Sequence, residues 1–152
     1  MSSIHPALTI LLADDDEEDR MMTIDALRAR RVANEIRCVA DGQELIDCLF
    51  RRGKYADSEE PLPGLILLDL NMPKKDGREA LAEIKSDPEL RRIPVVVMTT
   101  SKAEQDVLST YNLGSNSFIS KPVTLAGLID VMEVLGQYWF QIVMLPEPEA
   151  GI

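Results

Sequence analysis

Apolar residues are concentrated in five short runs, at 8–13, 35–40, 64–70, 93–99 and 115–120. The first, third and fourth runs are nearly continuous and rich in Ile, Val and Leu, which is typical of strands buried on both faces of a parallel sheet. The second and fifth runs mix apolar and polar residues, as strands at an edge or only partly covered would. The pattern therefore predicts five β-strands.

Each run is followed by a segment in which apolar residues recur with helical spacing. These residues are Met21, Ile24 and Leu27 after the first run, Leu45, Ile46 and Leu49 after the second, Ala80, Leu81 and Ile84 after the third, Val107, Leu108 and Tyr111 after the fourth, and Leu128, Val131, Met132 and Leu135 after the fifth. Strands that alternate with helices predict a parallel sheet covered on both faces. Five such repeats predict a flavodoxin-like, doubly wound (βα)5 fold of the α/β class, with a five-stranded parallel sheet in the order 2-1-3-4-5.

Composition and charge narrow the possible function classes. The chain has 152 residues, which suits one domain, and a net charge of −10. A nucleic-acid-binding protein normally carries a basic patch, so we expect no nucleic-acid partner. No apolar run approaches the roughly 20 residues that span a bilayer, and the first residues lack the features of a signal peptide. We therefore expect a cytoplasmic protein without a membrane partner.

Cysteine and histidine are too scarce to build most catalytic or metal sites. Cys38 and Cys48 lie in apolar surroundings, so we expect two buried thiols rather than a disulfide. The single histidine, His5, lies in the N-terminal tail. Neither a His/Cys metal cluster nor a Ser-His-Asp triad can be assembled from this set of residues.

Chemically useful side chains follow four of the five predicted strands. Asp14 and Asp15 end the first strand and Asp69 ends the third. Thr99 ends the fourth strand, and Lys121 ends the fifth. In doubly wound sheets the functional site lies at the carboxyl ends of the strands, beside the switch point between strands 1 and 3. Three carboxylates, a hydroxyl and an ammonium group should therefore face one shallow pocket.

Such a pocket suits phosphoryl transfer to a carboxylate. Three clustered carboxylates are unstable without a cation, and oxygen ligands alone point to Mg²⁺ or Mn²⁺. Asp69 is the natural nucleophile because it lies centrally. Lys121 can pair with the phosphoryl group, and Thr99 can bind another of its oxygens. An Asp at a strand end is commonly just a cap, so the prediction depends on the five residues together.

The acidic run at 14–19 divides into two parts. Asp14 and Asp15 belong to the predicted metal site. Asp16 is predicted to be the N-cap of the first helix, with Asp19 at the N3 position. The remaining acids fall in the first helical turn, where the helix dipole favours each of them by roughly 0.3–1 kcal/mol.

Together these motifs resemble the receiver domain of two-component response regulators, of the chemotaxis-type single-domain kind. The resemblance covers roughly residues 8–136. It is carried by the Asp14-Asp15 pair, by the segment LLDLNMPKKDG at 67–77, by Thr99 and by the Lys121-Pro122 pair that follows it.

The resemblance implies a signalling phosphoacceptor, not an enzyme with an external substrate; it would catalyse only its own phosphorylation and dephosphorylation. Asp69 would accept phosphate from a histidine kinase or a phosphotransfer protein. Mg²⁺ or Mn²⁺ would be bound by Asp15, Asp69 and the backbone carbonyl of Asn71, with Asp14 acting through water.

The resemblance also implies a conformational switch. Lys121 and Thr99 would stabilise the phosphoryl group, and the peptide bond before Pro122 would be cis. Thr99 and Phe118 would move together on phosphorylation and reshape the surface of the fourth helix, fifth strand and fifth helix. Without the resemblance, Phe118 would be interpreted as a core residue.

Within the family, the chain resembles the response regulators paired with cyanobacterial and bacterial phytochromes. The shared features are the long connection at 51–64, the amino-acid sequences at 71–85 and at 91–101, and the aromatic cluster at 138–140. Two positions depart from the common pattern of the family. Thr100 replaces a frequent Ala, and Phe118 replaces a frequent Tyr.

The last apolar residues extend beyond a minimal receiver. We expect one receiver domain over 1–152, with its core at 8–136 and a C-terminal helix extension and tail at 137–152. Val134, Tyr138 and neighbouring apolar residues lack an obvious core, which predicts a homodimer through the fourth helix, the fifth strand, the fifth helix and the tail. The alternative is a tail that folds back on its own domain. In either case, the expected output of the domain is a change in binding to another protein, or phosphate relay.

The sequence disfavours three alternative functions. A haloacid-dehalogenase-like phosphatase needs a second Asp two positions after its nucleophile, where this chain has Asn71. A flavin-binding flavodoxin needs a phosphate-binding loop after the first strand, where the acids at 14–19 would repel the phosphate. A degenerate receiver would lack required residues, yet all of them are present.

Overall fold

A computed structural model describes residues 9–29, 35–69, 72, 74–99, 117–120 and 126–130. At Thr99 and at 117–120 the description covers the backbone. The strands are β1 Ile10–Ala13, β2 Ile36–Val39, β3 Leu65–Leu68, β4 Val95–Thr99 and β5 Ser117–Ser120. The helices are α1 Glu17–Ala29, α2 Gly42–Phe50 and α3 Gly77–Ser86, with single 3₁₀ turns at Gly53–Tyr55 and Leu90–Arg92 and a helical segment at 126–130.

The strands form one parallel sheet in the order β2-β1-β3-β4-β5. This order confirms the predicted flavodoxin-like, doubly wound α/β fold. The strands are shorter than the apolar runs that predicted them; β3, for example, covers four residues of the run at 64–70.

Alternation along the strands divides the interior into two cores. Leu11 and Ala13 of β1 face the core that contains α2 and α3. Ile10 and Leu12 face the opposite core, which contains α1 and Leu128. The central strands are therefore buried on both faces, which explains their nearly continuous apolar sequence.

Helix starts follow their capping residues. The Asp16 carboxylate accepts hydrogen bonds from the amides of Glu18 and Asp19, at 2.9 and 3.2 Å, which confirms Asp16 as the N-cap of α1. Asp76 and Glu79 form a reciprocal capping box at the start of α3. Each cap fixes where a helix leaves the end of the sheet that carries the acidic residues.

Two expectations about burial were wrong. Cys38 is exposed because β2 is an edge strand with incomplete cover, and Cys48 of α2 is only half-buried against the core. Met21 of α1 is 58% exposed, whereas Thr23 of the same helix is 1% exposed. Helix α1 is therefore rotated relative to the apolar pattern that predicted it, and a hydroxyl takes a core position.

The long connection at 51–64 is attached to the domain by two arginines. Arg51 has a left-handed backbone (φ 57°), and its guanidinium donates to the carbonyl oxygens of Ser58 and Glu60, both at 2.7 Å. Arg37 of β2 donates to the carbonyl oxygen of Pro61 at 3.3 Å and lies 3.6 Å from the Glu60 carboxylate. The connection thus lies along the outer edge of β2. Within the described ranges, no helix is long and apolar enough to cross a membrane.

Candidate functional site

Three carboxylates meet at the carboxyl ends of the two central strands. β1 and β3 run side by side, with Ala13 opposite Leu68. The amide of Asp69 donates to the carbonyl oxygen of Ala13 at 2.9 Å, which sets the end of β3 against the end of β1. As a result, one carboxylate oxygen from each of Asp14, Asp15 and Asp69 lies within 4.8 Å of the others.

The three acids differ in depth. Asp14 is 1% exposed, Asp69 is half-buried and Asp15 is exposed. An ion at this position would thus have a protein side and a water side. The donor set is oxygen alone, which suits a hard divalent cation, and a cation would relieve the repulsion among three negative charges. The residues present therefore fit a divalent metal.

The turn after β1 is held by its own hydrogen bonds. The Asp14 carboxylate accepts from the amide of Asp16 at 3.0 Å. The guanidinium of Arg20 donates to the backbone carbonyl oxygen of Asp14 at 2.7 Å. Asp16 in turn caps α1. Asp14 is therefore connected through Asp16 to the first turn of α1, and Arg20 places a positive charge beside the turn.

The loop after β3 packs directly on the start of α2. A Cβ atom added to Gly42 would lie 1.8 Å from the carbonyl oxygen of Lys75, so only glycine fits at this contact. Lys74 adopts φ 67°, and its ammonium group lies 3.5 Å from the carboxylate of Asp41, the N-cap of α2. The chain that follows Asp69 is thereby fixed against α2.

A second hydrogen-bonded group lies behind this contact. The Glu44 carboxylate accepts from the amide of Ala40 at 2.8 Å and from the Tyr55 hydroxyl at 2.7 Å, and it lies 3.0 Å from the ammonium group of Lys54. Burial by itself would raise the pKa of Glu44, but these hydrogen bonds outweigh it and lower that pKa. Burial, followed by the bond to Glu44, raises the pKa of Tyr55. The group links the end of β2, α2 and the connection.

The other predicted site residues are placed less fully. Thr99 ends β4 and pairs in register with Ser120 of β5, while Phe118 pairs with Val97. Since β4 adjoins β3, the backbone of Thr99 lies at the same edge of the sheet as Asp69. Asn71, Lys121 and Pro122 lie outside the described residues, so their predicted roles stay predictions.

Sequence reasoning missed three participants near the acids. Arg20 bonds the turn after β1, the Lys74–Asp41 pair joins two loops, and Thr23 lies buried beneath the site. The spacing of apolar residues marked none of these contacts, including the buried position of Thr23.

The family model of the response regulator receiver domain matches residues 10–133. The response regulator Rcp1 of Synechocystis sp. is 42% identical over 142 residues, which are 93% of this chain and 95% of Rcp1.

Two solved structures superpose on most of this chain. The phosphorylated cyanobacterial phytochrome response regulator RcpA superposes with a TM-score of 0.84 at 42% identity, over 90% of this chain and 96% of RcpA. The Mn²⁺-bound form of Rcp1 superposes with a TM-score of 0.81 at 41% identity, over 88% of this chain and 95% of Rcp1.

Proposed function

The chain belongs to the response regulator receiver domain family, and we propose that it accepts a phosphoryl group on Asp69 with the help of Mg²⁺. Receiver domains are phosphoacceptors that histidine kinases phosphorylate and that bind a divalent metal. The observation that carries the proposal is the group of three carboxylates within 4.8 Å at the ends of β1 and β3. Asp69 is the half-buried member and the central one in the sheet, so it has both a fixed position and access to a donor.

Different residues of the site are proposed to bind the metal and to accept the phosphoryl group. Asp15, Asp69 and the backbone carbonyl of Asn71 would hold the metal, and Asp14 would act on it through water. When bound there, the metal would supply positive charge that offsets the charge of the phosphoryl oxygens. An oxygen of Asp69 forms the new bond to phosphorus while the phosphorus–nitrogen bond of the donor's phosphohistidine breaks, and the imidazole nitrogen keeps the electron pair.

The remaining groups stabilise the product and transmit it. The Lys121 ammonium group pairs with the phosphoryl oxygens, and the Thr99 hydroxyl donates to another of them. Phe118 moves with Thr99, and the surface of the fourth helix, β5 and the fifth helix changes shape. Hydrolysis of the aspartyl phosphate in the same site resets the protein. The cis peptide before Pro122 would present Lys121 to the pocket.

The partner is proposed to be a phytochrome-type histidine kinase in the cytoplasm, directly or through a phosphotransfer protein. The relatives support this proposal, because RcpA is a cyanobacterial phytochrome response regulator that is 42% identical to this chain. The whole chain, 1–152, would act as one receiver domain with its core at 8–136. Its output would be binding to another protein or phosphate relay.

Intact-mass spectrometry after incubation with acetyl phosphate tests the central proposal. We expect the wild type to gain the mass of one phosphoryl group in MgCl₂ and none in EDTA. Asp69→Asn should gain none, while Asp57→Asn, which changes an exposed acid of the connection, should behave as the wild type. A wild type that never gains mass would contradict the function, and a phosphorylated Asp69→Asn would contradict the acceptor.

The homodimer is proposed to form through the fourth helix, β5, the fifth helix and the extension at 137–152. The apolar residues of that extension, which exceed what one core needs, support the proposal. Sedimentation velocity of the full chain and of a chain ending at Gly136 tests it, with and without acetyl phosphate. We expect a dimer and a monomer, respectively. A truncated chain that remains dimeric would rule out the extension as part of the interface.

A further inference from the structure

Thr23 places a hydroxyl in the core directly behind the acidic site. The residue is 1% exposed, on the face of α1 that also buries Ala26 and Leu27. Its Oγ1 atom is buried and has no hydrogen-bond partner among the residues that the structure describes. A buried hydroxyl that has lost its bonds to water destabilises the folded state unless another partner replaces them.

A small cavity lies where that partner could sit. It has a volume of about 10 Å³ and is lined by Thr23, Asp14 and Asp69, and otherwise by apolar side chains of β1, β3 and β4. This volume is at the lower limit for one water molecule, since a water needs roughly 10–15 Å³ and two to four polar neighbours. Thr23, Asp14 and Asp69 are the lining residues with polar side chains, and they are the candidate partners of such a water.

We propose that Thr23 holds an ordered water molecule in this cavity and that the water positions the carboxylates of Asp14 and Asp69 from the core side. The inference deepens the proposed metal site and depends on it. Thr23 is a positioning residue in this scheme, because it acts on the metal ligands through the water. Partners of this kind orient metal ligands and raise the affinity of a site.

The proposed water would orient Asp14, which is the buried carboxylate of the site. Asp15 is exposed and can be oriented by solvent, whereas Asp14 is 1% exposed and depends on contacts within the protein. The turn after β1 fixes Asp14 through the Asp16 amide and through Arg20 on its backbone oxygen. A water held by Thr23 adds a contact from inside the sheet, which the turn cannot provide.

Two variants separate the hydroxyl from the shape of the side chain. Thr23→Val keeps the volume and removes the hydroxyl; Thr23→Ser keeps the hydroxyl and removes a methyl group. Titration calorimetry with Mn²⁺ alone is the measurement, with circular dichroism as the check on folding. We expect Thr23→Val to bind Mn²⁺ about tenfold more weakly than the wild type. Thr23→Ser should retain wild-type affinity.

Thermal unfolding in EDTA provides a second readout. If the hydroxyl binds the water, Thr23→Val removes one hydrogen bond to that water, and the Tm of the variant should be lower than that of the wild type. If the hydroxyl has no partner, replacing it with a methyl group should raise the Tm, because an unpaired buried polar group is removed. A raised Tm with unchanged Mn²⁺ affinity would overturn the inference, as would an equal loss of affinity in both variants.

A crystal structure of the wild type would show the water directly, and density for it within hydrogen-bond distance of Thr23 Oγ1 is expected. An empty cavity would refute the inference. These failures differ from failure of the proposed function, in which the wild type itself would bind no Mn²⁺.

Discussion

Replacing Asp15 with Asn should stabilise the metal-free protein while weakening its metal site. The substitution removes one negative charge from a group of three and preserves the shape of the side chain. Asp15 is the exposed member, so the change disturbs no buried contact. Stability and metal binding should thus change in opposite directions in a single variant.

The magnitude follows from the separation of the carboxylates. Their oxygens lie within 4.8 Å of one another. Two unit charges at that distance repel by about 3.5 kcal/mol at an effective dielectric constant of about 20, and by about 0.9 kcal/mol in water. Because Asp15 is exposed, the lower value applies to each of its two pairs. Salt screening leaves about 1 kcal/mol in total, or a Tm increase of about 2–4 °C.

Urea unfolding at an ionic strength of about 0.1 M, in EDTA and in MgCl₂, measures both effects. In EDTA the midpoint of Asp15→Asn should exceed that of the wild type with an unchanged slope. In MgCl₂ the wild type should gain stability through binding, and the variant should gain much less. Asp57→Asn should match the wild type in both buffers, because its carboxylate belongs to the exposed connection. A metal-free Asp15→Asn no more stable than the wild type would refute the argument.

Two further substitutions test the loops behind the site. Gly42→Ala would place a Cβ atom 1.8 Å from the Lys75 carbonyl oxygen, so urea unfolding should show a loss of about 1–3 kcal/mol, with slower phosphorylation by acetyl phosphate. The neighbouring exposed change Gln43→Ala serves as its control, and an unaffected Gly42→Ala would contradict the backbone contact. For Glu44, whose pKa is lowered below 4.5 in the folded state, the stabilisation is complete above pH 4.5 and is lost as pH falls through the lowered pKa. Glu44→Gln should remove that acid-dependent part of the urea midpoint; an acid loss identical to that of the wild type would contradict it.

The strands and the acidic group could be predicted because they depend on local patterns, and the sheet order followed from the doubly wound fold that five βα repeats indicate. Apolar runs marked the strands, and the residues directly after β1 and β3 marked the ends that meet. Parallel pairing then brings Asp14, Asp15 and Asp69 together without knowledge of any other contact. The N-cap at Asp16 was predictable for the same reason, since capping involves only the next few residues.

The orientation of α1 could not be predicted from its spacing. Its spacing marked Met21 as a core position and did not mark Thr23, whereas packing against the sheet buries Thr23 and leaves Met21 exposed. The exposure of Cys38 depends on β2 being at the edge. The contact between Gly42 and Lys75 joins two loops and leaves no periodic signal, so spacing along the chain could not predict it.

Arg37 and Arg51 hold the later part of the connection, so a peptide can be inserted at the exposed residues 56–57 that precede this part. The guanidinium groups bind the carbonyl oxygens of Ser58, Glu60 and Pro61, whereas the exposed residues 56–57 lie ahead of those contacts. A short flexible peptide or a fluorescent label added at 56–57 would extend into solvent at the outer edge of β2. Such a label could report encounters with a kinase while leaving the acids at the ends of β1 and β3 undisturbed.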